Sequence, residues 1–197
     1  MTEPWPISYL RPRNVTRHLA PRTTAGTVSA SGFTQRVSVP AHAWIITYEG
    51  ILVATEEQIR VWDAYEAFLE GGSVPILVPL VNEVGIVGTV NGTTVGASAA
   101  GAALLTVNRV GAAVVAGMHF SIGERLYRAF GTSPAGSDNY TMSIRPPLRE
   151  AVAAGAAVLF STLHCKCRLA TDDEMMLKLE AGRMGTGNVR FFEDPNP

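Results

Sequence analysis

HAWIITYEGILVATEEQIRVWDAYEAFLEGGSVPILVPLV, residues 42–81, passes from a β-branched and aromatic run through one helical segment to a second apolar run, and that order decides the fold. The middle part, TEEQIRVWDAYEAFLE, predicts a helix over Thr55 to Glu70. Thr55 and Gln58 form a capping box, Glu56 and Glu57 suit the positive end of the helix dipole, and Gly71-Gly72 stop it. At about 100° per residue, Val61, Trp62, Tyr65, Phe68 and Leu69 fall on one side and Glu56, Asp63, Glu66 and Glu70 on the other, so the aromatic side is expected to be buried. The flanking runs read as strands. HAWIITYEGILVA is bent at Gly50, and SVPILVPLV carries Pro75 and Pro79, which favour an edge or end position.

Working outward toward the N-terminus, TVSASGFTQRVSVP (27–40) alternates Phe33, Val37 and Val39 with Thr34, Arg36 and Ser38, the period of a half-buried strand that Pro40 is expected to end. Residues 1–26 show neither period and read as an N-terminal arm or lead-in strand holding little core. Toward the C-terminus, residues 85–145 turn Gly-, Ala- and Val-rich. Asn91-Gly92 is a hairpin dipeptide, AGMHFSIGERLYRAF gives two strands broken at Gly123-Glu124, and Pro146-Pro147 end YTMSIRPPL. The expectation is a small inserted β-barrel-like domain at 85–145, within a β-rich core domain made of 27–84 plus 146–197. In the last segment, a helix capped by Thr171 and Glu174 competes with a hairpin into Val189-Arg190-Phe191, and the alternation of Leu177 and Leu179 favours the hairpin. The fold class is therefore mainly β, a β-rich α+β chain: a β-sandwich or barrel-like core, one amphipathic helix and an inserted small β domain.

The chain has 197 residues and a formal net charge of -1, which removes the electrostatic ground for a sequence-specific nucleic-acid partner or an anionic membrane surface. No apolar run approaches the ~20 residues of a membrane span, and MTEPWPISYLRPRN does not read as a signal peptide, so a soluble protein made in a cytoplasm is expected.

The residues supply no set for catalysis. Cys165-Lys166-Cys167 beside His164 lacks the four spaced ligands of structural zinc, and on a strand the two cysteines share one face as small apolar residues, with an intersubunit disulfide as the minor alternative. GASAAG around Ser98 lacks the last glycine of a nucleophile elbow, and GRMGTG (182–187) is not a phosphate loop. Asp172, Asp173 and Glu174 have no second spaced oxygen set for a cation or for hydrolysis. No catalytic, cofactor-binding or metal-ligating residues are assigned, and no enzymatic activity is expected. Charge is nevertheless uneven. Arg11, Arg13, Arg17, Arg22 and Arg36 stand against Glu3 in the first 36 residues, while Glu49 to Glu70 holds six acids against Arg60. In a ring of identical subunits, Arg11, Arg13, Arg17 and Arg22 of one copy would face Glu56, Asp63, Glu66 and Glu70 of the next. The competing possibility is that the two groups meet within one chain or not at all.

The succession FTQRVSVPAHAWIITYEGILV, WDAYEAFLEGG, VPILVPLV, VAGMHFSIGERLYRAF and MSIRPPLREAVAAGAAVLF, then CRLATDDEM, resembles minor tail proteins of tailed bacteriophages, of the distal-tail-protein type, over residues 27 to 192. The resemblance implies a structural virion protein: a homohexameric ring at the tail tip that connects the tail tube to the baseplate hub and receptor-binding apparatus. It also implies a core domain around the lumen, a second β domain projecting outward, and tube and hub proteins as partners. The basic arm and the paired cysteines depart from the pattern. Alternatives are another tail position, such as a hub adaptor or tail-completion protein, or a carbohydrate-binding module using Phe120, Tyr127, Phe130 or Tyr140.

Overall fold

A computed structural model describes residues 2–28, 34–80, 91–111, 113–136, 138–179 and 184–196, and among these the side chains of all but 22–28 and 34–41. The elements run β1 (Glu3–Pro4), β2 (Asn14–Val28), β3 (Thr34–Val53), α1 (Glu56–Leu69) with a 3₁₀ turn at Glu70–Gly72, β4 (Ile76–Pro79), β5 (Gly92–Thr94) and β6 (Leu104–Asn108). They continue with β7 (His119–Ile122), β8 (Arg125–Pro134), β9 (Asn139–Arg145), β10 (Ala157–Leu159), β11 (His164–Leu169), β12 (Lys178–Leu179) and β13 (Gly185–Glu193). The chain is mainly β, with one α-helix among the described residues. A mixed sheet has the order β1-β4-β11-β13-β3-β2, with β12 on β13, and β10-β5-β6-β9-β8-β7 close into a barrel.

Alternation gives the sheet one buried face. Trp44, Ile46 and Tyr48 of β3, Val189 and Phe191 of β13, Cys165, Cys167 and Leu169 of β11, and Ile76 and Val78 of β4 all enter one core. Three covers lie over it. Helix α1 covers one end, the segment of Trp5 and Leu10 the middle, and the barrel the other end. Each indole N–H is satisfied by a main-chain carbonyl: Trp5 Nε1 donates to Leu10 at 3.0 Å, Trp44 Nε1 to Leu126 of β8 at 2.9 Å, and Trp62 Nε1 to Met175 at 2.7 Å. Trp5, Tyr48 and Phe191 pack edge to face at centroid distances of 5.3 to 5.8 Å. The Tyr48 hydroxyl donates to the Pro79 carbonyl, and burial pushes its phenol well above the ordinary range.

Local chemistry explains the helix and the bend in β3. Gln58 N donates to Thr55 Oγ1 at 3.2 Å and Thr55 N to Gln58 Oε1 at 3.2 Å, the expected capping box, and left-handed Glu70 and Gly71 end the helix. Trp62 and Leu69 are buried, but Phe68 is 43% exposed, so the aromatic side is only partly covered. The bend at Gly50 is a bulge: Glu49 and Gly50 oppose Asn188, whose Oδ1 accepts from Gly50 N at 2.8 Å. Pro40 does not end its strand. It sits in the register shift where 40–42 oppose Pro21, so its missing N–H breaks no regular ladder bond. The lead-in also holds core, because Trp5 and Leu10 are fully interior and β2 pairs with β3. Lys178 and Leu179 pair with Thr186 and Gly185 as the hairpin reading expects, while its turn, 180–183, lies outside the described residues, as do Phe33 and residues 85–90.

The barrel interrupts the sheet between two of its paired strands. β4 and β11 are antiparallel neighbours, with Pro79 opposite His164, and Leu80 N donates to Leu163 O at 2.9 Å where the chain leaves and returns. Gly123 makes the tight β7–β8 turn that the sequence predicts. Gly92 is a strand residue paired with Val158 rather than a hairpin turn, because its partner comes from the far end of the insertion. The barrel strands span Gly92 to Leu159, and Leu148, Val152, Val158 and Phe160 join the barrel core beyond the 145 boundary read from Pro146-Pro147. Those prolines end a strand, not a domain.

Charge fastens the barrel to the sheet. Glu193 is fully buried and accepts from Arg149 Nε at 2.8 Å, Arg149 Nη2 at 3.1 Å and Trp44 N at 3.0 Å. Arg149 also donates to the His42 carbonyl, and Arg125 donates to the carbonyls of Asp194 and Asn196 and to Glu150. Arg149→Met would strand the Glu193 carboxylate; a loss of about 3–5 kcal/mol is expected in urea titration, partly recovered by adding Glu193→Gln. A Cβ on Gly187 would fall 2.2 Å from the Trp62 ring. Gly187→Ala is therefore expected to destabilise by about 1–3 kcal/mol, and an unchanged melting temperature would show that the helix does not press on β13 as described.

Candidate assembly surface

The sheet ends on a long open edge. β2 has fifteen residues and pairs only with β3, and its outer side carries no strand among the described residues. β13 covers β3 only from Ile45 to Val53, whereas the β2–β3 ladder runs on to Val28 opposite Thr34. The two strands therefore continue past the end of β13 as a two-stranded ribbon. An unpaired row of backbone donors and acceptors of this length is a template for another chain. Pro21 and the register shift beside it divide the edge.

The arginines expected to mark an interface are spread along this edge. Arg11 and Arg13 are exposed, and Arg13 lays its side chain over Gly50. Arg17 lines a cavity of about 460 Å³ with His18, Leu19, Trp44, His119 and Arg128. Arg22 lies on β2 opposite Val39, with its side chain outside the description. On the helix, Glu56 pairs with Arg60 at 2.9 Å on an exposed surface, worth little, while Asp63, Glu66 and Glu70 are exposed. Arg11 and Arg13 form no ion pair with these carboxylates among the described residues. The N-terminal segment meets the helix of its own chain through neutral bonds instead, from Gln58 Nε2 to Tyr9 O at 3.0 Å and from the Tyr65 hydroxyl to Pro4 O at 3.1 Å.

Other candidates resolve into structural roles. Cys165 and Cys167 are free thiols, fully buried on one face of β11, which puts an intersubunit disulfide out of reach of a folded partner. Burial pushes the Cys167 thiol up, and Cys165 adds to the rise. Thr171 Oγ1 bonds Asp173 and Glu174, and Glu174 pairs with Arg190, so this cluster shapes a turn. Of the four insertion aromatics, Phe120 and Tyr127 are interior, Tyr140 is partly buried and Phe130 is exposed.

The sequence reading missed a row of basic residues. Register places His119 opposite Arg128, and Arg128 opposite Arg145, across β7, β8 and β9. The Arg145 guanidinium lies 4.8 Å from the Phe130 ring centroid. All three residues stand in the quoted segments VAGMHFSIGERLYRAF and MSIRPPLREAVAAGAAVLF, but only strand pairing brings them side by side.

The sequence matches no protein-family model and no curated protein. No helix among the described residues is long and apolar enough to cross a membrane.

Burial, with the charges of Arg17 and Arg128, lowers the His119 pKa from 6.5 to about 4. The unfolded chain then takes up a proton that the folded chain refuses, so stability is expected to fall as pH drops from about 6.5 to about 4 and to lose nothing more from this group below that. Melting curves of the wild type and His119→Leu should converge or cross through that window; a constant difference between them would remove His119 as the cause.

Proposed function

We propose that the chain is a structural, non-enzymatic virion protein of a bacteriophage tail tip, a distal-tail-type subunit that forms a ring. In this role it joins the tail tube to the baseplate hub and receptor-binding apparatus. The observation that carries the proposal is the open β2 edge with its ribbon: fifteen residues of strand with no strand on one side among the described residues suit repeated pairing with an identical chain. The order of segments that resembles distal-tail proteins supplies the position in the virion, with six copies around the lumen. The sheet is then the ring-forming body, and the barrel, inserted between β4 and β11, is the unit directed at fibre or hub proteins.

Removal of residues 1–26 is unsuited as a test, since it takes away Trp5, Leu10 and most of β2. A better variant replaces residues 23–38 with Asn-Gly, closing Arg22 on its partner Val39 with a two-residue turn. Light scattering of the wild type across concentration should give a discrete mass near six subunits, with sixfold rings in negative-stain images. The shortened ribbon should give a folded protein of lower mass. A wild type that stays monomeric at all concentrations would overturn the ring.

A further inference from the structure

Directly opposite residues on neighbouring strands share a face, so His119, Arg128 and Arg145 form one row on the outer wall of the barrel. Like charges placed directly opposite repel one another. No ion pair between described residues involves Arg128 or Arg145; Arg145 donates only to its neighbour's carbonyl, Ile144 O, at 3.1 Å. At its sheet-side end the row opens on the cavity of about 460 Å³ that Arg17 and Trp44 also line. Burial first, and then the charges of Arg17 and Arg128, depress the His119 pKa there.

The helix carries the opposite imbalance. Asp63 and Glu66 lie one turn apart on the exposed side of α1, exposed Glu70 follows as its left-handed cap, and no basic residue occupies the last turn. This acidic stripe is about 10 Å long at 1.5 Å per residue, and three strands spaced ~4.8 Å apart give the basic row a similar length. Within one chain no ion pair joins the two among the described residues. Trp62 of the helix packs on Gly187, opposite Ile51, while the barrel packs on Trp44, seven residues along β3 and roughly 20 Å away. That separation exceeds the ~8 Å screening length at physiological salt.

We infer that the basic row of Arg128 and Arg145, with Arg17 at its end, is the socket for the Asp63, Glu66 and Glu70 stripe of helix α1 in a second copy of this chain. The inference rests on the ring proposed above. Socket and stripe lie at different places on the molecule, so the contact is head to tail, leaves one of each free on every dimer, and is satisfied only by closure. It also moves the charge contact from the arm to the barrel, with Arg17 alone shared between the two.

The test uses the full chain. Arg128→Glu with Arg145→Glu reverses the socket, Asp63→Lys with Glu66→Lys reverses the stripe, and a third protein carries all four changes. Mass by light scattering at low and high salt is read for each, with melting curves to establish folding; Arg128→Gln with Arg145→Gln serves if the reversed socket does not fold. Each reversal is expected to weaken association at least tenfold, high salt to weaken the wild type, and the fourfold variant to associate nearly as the wild type does. An oligomer indifferent to both reversals sinks the socket and leaves the ring standing, as does a fourfold variant no better than its parents. Inorganic phosphate that binds the wild type without lowering its mass marks a small-anion site and overturns the contact. A wild type monomeric throughout sinks both the contact and the ring.

Discussion

A seven-stranded sheet with one apolar face must cover that face, and here no second sheet does it. Three unlike covers share the work, each secured by a buried indole whose N–H reaches a carbonyl. Trp62 presses helix α1 flat against Gly187, Trp5 closes the N-terminal segment over Tyr48 and Phe191, and Trp44 reaches from the sheet into the barrel at Leu126. Burial of such large rings supplies area, and the carbonyl bond fixes direction, so each cover has one seat. The opposite face keeps Thr47, Asn188, Arg190 and Lys166, residues that tolerate water or a polar neighbour.

Ionisable groups at the barrel junction are committed to structure. Glu193 is buried away from bulk solvent, and two nitrogens of Arg149 and the Trp44 amide take up its lone pairs. Such a pair adds little over a well-packed apolar contact but penalises every misplacement, because a displaced partner leaves a bare charge inside. The barrel is thereby held in one orientation on the sheet. Arg128 and Arg145 on the barrel wall, and Asp63 and Glu66 on α1, enter no ion pair among the described residues.

What the sequence discloses follows the range of the interaction. The capping box of Thr55 and Gln58, the turn at Gly123 and the bend at Gly50 are written in adjacent residues and are legible there. The Arg149 to Glu193 pair spans 44 positions, and the row of His119, Arg128 and Arg145 exists only once three strands are in register; neither leaves a local pattern. Proline misled in two ways for one reason: Pro40 and Pro146 report a missing N–H, and whether that ends an element depends on the partner strand, which the local sequence does not name. The charge imbalance between the N-terminal arginines and the helix was legible as composition. Its geometry was not, since Arg11 and Arg13 form no ion pair with the helix carboxylates among the described residues.

The place of the barrel in the chain bears on the order of folding. Pro79 and His164, neighbours in the sheet, are 85 positions apart, and joining them directly would close a loop of that length. Once β5 to β10 have closed among themselves, Gly92 and Val158 are already paired, and the same contact closes an effective loop of about 20 residues, easing closure by roughly 1.3 kcal/mol. The barrel contains the local hairpins β7–β8 and β8–β9. Formed first, the insertion would bring the two halves of its host within reach, and the sheet would be completed around it.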